Sequence, residues 1–180
     1  MWDIKPLPIP GAFLMQLPKF SDNRGSFIKT FHADTFIQNG IEFQLKESFF
    51  SVSNKDVIRG MHFQNPPYDH DKIVLCPQGS ILDVIVDLRT SSPTYKQHYA
   101  HVLSAENHLA FFIPKGLAHG FKSLEDNAIT YYLVSSVHEP SADNGVLYNS
   151  CGIEWNCTNP IVSQRDLQFP ALADFKSLFK

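Results

Sequence analysis

The strongest chemical signal in the chain is a histidine close to an arginine on an apolar, strand-like run, Val57-Ile58-Arg59-Gly60-Met61-His62-Phe63-Gln64. A second run, Ile113-Pro114-Lys115-Gly116-Leu117-Ala118-His119-Gly120-Phe121, sets another histidine in a similar place. Two such histidines, far apart in sequence, imply one polar pocket inside a β-rich shell. A catalytic metal needs three or four converging nitrogen and oxygen ligands. Here His62 is followed by Phe63-Gln64 rather than by a second histidine, and the next acids are Asp69 and Asp71. His62, His119 and at best His70 form a poor ligand set, so the expectation is no metal and no cofactor. What remains is proton transfer, for which an unperturbed pKa of about 6.5 suits a histidine base. A base needs a carboxylate to orient it and an acid across the substrate. Asp166, in Ser163-Gln164-Arg165-Asp166, and a tyrosine of Tyr131-Tyr132 are the candidates. Lys72 opens the run Lys72-Ile73-Val74. A cation there could stabilise an enolate oxygen, a role commonly contributing about 3–4 kcal/mol. His70, His98, His101 and His108 read as loop or strand-edge residues.

The elements that must position these groups are strands. Turn signals recur at short intervals, among them Asp22-Asn23-Arg24-Gly25, Asn65-Pro66-Pro67, Pro77-Gln78-Gly79 and Pro114-Lys115-Gly116. Between them, strands are expected at 49–53, 57–63, 72–76, 80–88, 95–103, 109–113 and 128–134. Many short strands with regular turns imply an all-β sandwich, barrel or jelly roll. One short helix is expected over 33–38, closed by Gly40. Another is expected over 171–179, where Leu172, Phe175 and Phe179 would share a face. Period two places Gly60, His62 and Gln64 on one face of their strand and Arg59 on the other, unless the strand bends at Gly60. In the run 81–89 the same period separates Leu82, Val84, Val86 and Leu88 from Asp83, Ile85, Asp87 and Arg89. Asp83 on so apolar a strand calls for a partner, because a lone buried carboxylate is costly.

Composition bounds the function. The 180 residues favour one domain, 1–180, and are enough to bury roughly 70% of the unfolded chain's surface. Apolar content of 43% and charged content of 18% are those of a soluble protein. A net charge of −3 with no basic run argues against nucleic acid as a partner. No apolar run approaches a membrane span, and the proline-spaced start of the chain has no signal-peptide core. Three cysteines without CxxC spacing read as reduced thiols of a cytoplasmic protein.

The residues also carry a resemblance. Pro114-x-Gly116-x-x-His119 has the spacing of the second cupin motif. The segments at 22–27, 58–67, 83–95, 113–121 and 163–166, together with Lys72, resemble the nucleotide-sugar 3,5-epimerases of the cupin superfamily. The type member of that family acts on a dTDP-linked 4-keto sugar in rhamnose biosynthesis. The resemblance implies a metal-free cupin jelly roll (a double-stranded β-helix barrel) with a few short helices, assembled as a homodimer. It implies His62 as the base beside the C4 ketone, with Asp166 orienting it, Tyr132 as the acid on the opposite face, and Lys72 at the enolate. Arg24 and Arg59 would hold the diphosphate, and His119 and Gln44 would touch the substrate. Gln64 and Asp83 would support these from behind. The implied product is a deoxysugar nucleotide destined for a surface polysaccharide.

Several positions depart from the family pattern. Lys29 stands for a glutamate, Lys46 for an asparagine, Arg165 for a lysine, His138 for a tyrosine and Asp143 for a glutamate. All five fall at substrate-binding positions. Two lysines in place of a carboxylate and an amide change the hydrogen bonds offered to a base, which points to a GDP- or CDP-linked sugar rather than dTDP. His138 bears on whether C3, C5 or both centres invert. The rival readings are a ketoisomerase using the same enolate, a metal-dependent cupin enzyme, and a binding protein without catalysis.

Overall fold

Short alternating runs broken by Gly, Pro and Asn turns give fourteen strands and one α-helix in the computed structural model, which describes residues 2–180. In chain order these are β1 (Asp3–Pro6), β2 (Phe13–Gln16), β3 (Lys19–Asp22), β4 (Gly25–Ile28), α1 (Ala33–Gln38), β5 (Glu47–Ser53), β6 (Val57–Gln64) and β7 (Lys72–Gln78). They continue with β8 (Ser80–Asp87), β9 (His98–Ser104), β10 (Leu109–Ile113), β11 (Leu117–Ser123), β12 (Ala128–Val134), β13 (Asp143–Gly145) and β14 (Ile161–Val162). One sheet runs β1-β2-β10-β7-β12-β5 and the facing sheet β13-β6-β11-β8-β9. The pairing is antiparallel except where β14 lies parallel to β6. β3 and β4 form a separate hairpin. The expected all-β jelly roll is the observed fold.

Strand alternation divides the apolar residues into three layers. Val74, Ile85, Phe111, Phe121 and Val134 fill the space between the sheets. Ile73, Leu75, Phe112 and Leu133 point outward from the first sheet and are covered by Phe36 of α1. Val84, Val86, Leu88 and Met61 point outward from the second sheet and are covered by Tyr148, Trp155, Leu172 and Phe179. The period-two reading of 81–89 therefore holds: Val84, Val86 and Leu88 face one layer and Ile85 the other. α1 also forms as expected. The His32 ring accepts the Thr35 N–H at 3.4 Å at its start, and Gly40 follows at a φ of +74°.

Three expectations are corrected. The strand expected from Tyr95 begins only at His98. The buried Asp87 carboxylate accepts from Arg89, Ser92 and Thr94, and this holds the intervening segment in turns. Residues 171–179 are not a helix. A single turn, Phe175 N–H to Ala171 C=O, gives way to an extended strap. Its Ser177 hydroxyl donates to Leu88 C=O, and Phe179 C=O accepts from the Thr90 N–H. Leu172, Phe175 and Phe179 still pack together, but from this strap. Finally, β11 was read only as a motif. All seven of its residues are buried, so it lacks the alternation that marks a half-exposed strand.

Candidate active site

β6 does not keep period two. Its pairing with β11 sets His62 opposite His119 and Arg59 opposite Phe121, so three steps on one strand match two on the other. Gly60 sits at this bulge with φ +136°, and a Cβ there would lie 2.5 Å from the Gly120 Cα. The extra residue turns Arg59 back to the same side as His62, and both line one pocket between the two sheets. The bend at Gly60 is what brings an arginine and a histidine three residues apart into one site.

The pocket is a cavity of about 310 Å³ between the inner faces of the sheets. The second sheet supplies His62, Gln64 and His119, and the first supplies Lys72 and Tyr132. Each sits in a register of otherwise apolar inward residues. Lys72 precedes Val74, His119 lies between Leu117 and Phe121, and Tyr132 precedes Val134.

His62 Nε2 is 2.9 Å from Asp166 Oδ1, and the Gly60 N–H donates to Asp166 Oδ2 at 3.1 Å. With Nε2–H given to the carboxylate, Nδ1 is the imidazole nitrogen free to take a proton. Burial works to raise the Asp166 pKa, but the hydrogen bonds from His62 and Gly60 outweigh it and hold the carboxyl below its usual range. The Phe169 ring stands edge-on to His62 at 5.8 Å and fixes its other side.

Tyr132 is buried, and burial lifts its hydroxyl well above the usual tyrosine range, so it holds its proton. Its ring is clamped between Phe49, stacked at 4.7 Å, and His119, edge-on at 5.7 Å. His62 and Tyr132 thus approach the cavity from opposite sheets. Lys72 is almost fully buried, donates to His62 C=O at 3.2 Å, and burial lowers its pKa to about 8. It remains a cation at neutral pH. Behind it, His119 Nε2 meets Asp83 Oδ1 at 2.7 Å, the partner the sequence called for. Burial lowers the His119 pKa and raises that of Asp83, which favours the uncharged pair.

Arg165 and Asp143 also line the pocket and pair with each other at 2.7 Å. His138 lies on its rim, its backbone N–H given to Glu47 Oε2 at 2.8 Å. Four expected residues are not brought in. Arg24 is exposed and bound to Asp22 at 2.6 Å within its own turn. Lys29 belongs to the segment following the β3–β4 hairpin, with its backbone N–H on Pro18 C=O. Gln44 and Lys46 are exposed residues ahead of β5. β5 instead presents Glu47, Phe49 and Ser51 to the pocket. Lys46 does not line this pocket. His70 was read as a loop residue, but it lines the pocket as well. The available signal was its position two before Lys72, on the same face of an extended run.

A base and an acid on opposite walls, with a buried cation lining the same cavity, can move protons on either side of a carbonyl. The comparisons with known proteins point the same way. Residues 6–174 match the family model described as dTDP-4-dehydrorhamnose 3,5-epimerase. The enzyme of that name from Shigella flexneri is 36% identical over 169 residues, covering 92% of this chain and 93% of its own. The dTDP-4-dehydrorhamnose 3-epimerase of Streptomyces niveus is 34% identical, covering 95% and 84%. The crystal structure of the Bacillus anthracis 3,5-epimerase with TDP and pyrophosphate bound superposes with a TM-score of 0.91 at 36% identity, covering 94% and 99%. All three are named for dTDP sugars or hold TDP, and none supports a GDP or CDP carrier. This chain belongs to the dTDP-4-dehydrorhamnose 3,5-epimerase family.

Proposed function

We propose that the protein inverts C3 and C5 of a dTDP-linked 4-keto-6-deoxy sugar, as a step in making a deoxysugar for a surface polysaccharide. The observation that carries this reading is the placement of His62 and Tyr132 on opposite walls of one cavity that Lys72 also lines. His62 Nδ1 takes the proton from the carbon next to the C4 ketone. The electron pair moves into the C4–O bond, and Lys72 stabilises the resulting enolate oxygen. Tyr132 then delivers its proton to the opposite face of that carbon, which restores the ketone with inverted configuration. Solvent removes the proton from His62 and returns one to Tyr132. Each general acid or base contributes about 10²- to 10⁴-fold. The same cycle at the second flanking carbon inverts the other centre.

Arg59, held by Ser53 at 3.1 Å, is the pocket's diphosphate anchor. Arg165, Asp143 and His138 border the substrate on the rim. A dTDP carrier is supported by the TDP bound in the related structure. We also read the protein as a single-domain cytoplasmic homodimer. Phe20 and Phe27 of the β3–β4 hairpin are 57% and 63% exposed, and Phe50 of the edge strand β5 is 60% exposed. A second copy would cover these faces and offer Arg24 a route to the partner's diphosphate.

The test is reaction with dTDP-4-keto-6-deoxyglucose in deuterated water, followed by NMR and mass spectrometry. Deuterium is expected at C3 and C5, and His62→Ala should lose exchange at both. Full exchange in that variant would overturn the mechanism. Exchange at C3 alone would make the protein a 3-epimerase.

A further inference from the structure

Four of the eight histidines line the pocket: His62, His70, His119 and His138. The mechanism gives no task to His70. Its surroundings are nevertheless specific. Gln64, itself buried, has each of its amide atoms engaged. Gln64 Oε1 accepts the Glu139 N–H at 2.6 Å, and Nε2 faces three acceptors, Tyr68 C=O at 2.8 Å, His70 Nδ1 at 3.0 Å and Val137 C=O at 3.3 Å. The backbone donor on one side and the backbone acceptor on the other fix which way the amide points. His70 Nδ1 therefore accepts, and the imidazole proton sits on Nε2. Among the described residues Nε2 has no hydrogen-bond partner, and it is not among the buried atoms lacking one. It is left to the cavity.

The charge state is set as firmly as the tautomer. Burial and the nearby Lys72 ammonium push the His70 pKa down to about 3, outweighing the Tyr68 backbone carbonyl, which favours the protonated ring, so the ring stays neutral across the working range. A neutral ring with a fixed Nε2–H is a directional donor that neither carries a charge into the site nor titrates within it. Lys72 lies two residues on and faces the same cavity. The wall thus presents two adjacent donors, one cationic and one neutral, to an oxygen-rich ligand.

The geometry points to His70 as a substrate-contacting residue, donating Nε2–H to a sugar oxygen next to the one that Lys72 holds. Gln64 is its positioning residue. This inference rests on the proposed epimerase reading and assigns a further specificity contact within it. A sugar with a hydroxyl at that place satisfies the donor, whereas a deoxygenated analogue leaves a half-buried N–H unpaired.

The test uses the full-length protein. In wild type, ¹⁵N NMR of the imidazoles should show His70 as the Nε2–H tautomer, with no titration between pH 5 and 8. Adding dTDP-glucose, a non-reacting sugar nucleotide, should shift the Nε2 signal. His70→Phe keeps the ring but removes the donor, and should raise KM about tenfold with kcat within threefold. His70→Gln, which retains a donor, should recover most of the loss. An unmoved Nε2 signal, the opposite tautomer, or a KM within twofold of wild type in His70→Phe would overturn the inference. The wild-type NMR arm decides the matter even if the variants fold poorly. Absence of solvent exchange in wild type would instead defeat the epimerase reading, so the two failures are distinguishable.

Discussion

Lys72 is the residue on which the acid-base reading makes its sharpest demand. Its pKa is lowered to about 8, chiefly by burial, while Asp143 and Asp83 pull it back up. The cation is the useful form, because only a positive charge lowers the energy of the enolate oxygen. Protonation is complete well below pH 8 and is lost as pH rises through it. The kcat/KM profile should therefore fall on its alkaline side with a midpoint near 8. Lys72→Met should lower kcat by about 10²-fold or more and abolish that limb. A limb that persists in the variant would assign it to another group. At this scale the sequence was informative. His62, Lys72, His119 and Asp83 stand out by type as polar residues on apolar strands, whereas Asp166, in a turn, and the choice of Tyr132 over Tyr131 came with the family resemblance. His70, Phe49 and Phe169 were not. Their roles come from the residues folded against them, Gln64, Tyr132 and His62, which no local spacing reveals.

Among the elements, the bulge in β6 decides the site. Without it, Arg59 and His62 would point to opposite faces. Gly60 meets Gly120 too closely for any side chain, and Gly120 has Met61 Sδ 2.6 Å from where its own Cβ would be. Gly60→Ala adds both a backbone penalty at positive φ and a clash. It should cost about 3 kcal/mol, read as a melting temperature lower by roughly 10 °C. The residual activity should fall through KM as Arg59 swings away from the diphosphate. An unchanged melting temperature would show that the two strands can separate locally. The strands of the inner frame were legible where a nearly unbroken apolar run lay between turns, as in β7 and β8, although both are buried on both faces. β11, whose run is broken by His119, Gly120 and Lys122, and the turn built by the Asp87 side-chain network were not. The C-terminal strap was misread because Leu172, Phe175 and Phe179 have helical spacing, yet the backbone bonds available at Leu88 and Thr90 favour an extended path.

For the whole molecule, the open question is what covers β5 and the β3–β4 hairpin. Exposed phenylalanines on each of these elements are apolar surface that a second copy would bury. Sedimentation should give a dimer. Phe27→Glu, placed far from the cavity, should shift it toward monomer. If the partner's Arg24 completes the diphosphate site, Arg24→Ala should raise KM severalfold while leaving the dimer intact. A monomeric wild type, or an Arg24→Ala variant with unaltered KM, would confine the site to one chain.

Period two has a further consequence for how such a protein can diverge. On β7, β8, β11 and β12 the outward residues build the outer layers, and the inward ones include Lys72, Asp83, His119 and Tyr132. Holding the fold and choosing the reaction are thus written on alternate letters of the same strands. A lineage can exchange one set while the other stands still, and two proteins each about a third identical to this chain carry the names of a 3,5-epimerase and a 3-epimerase.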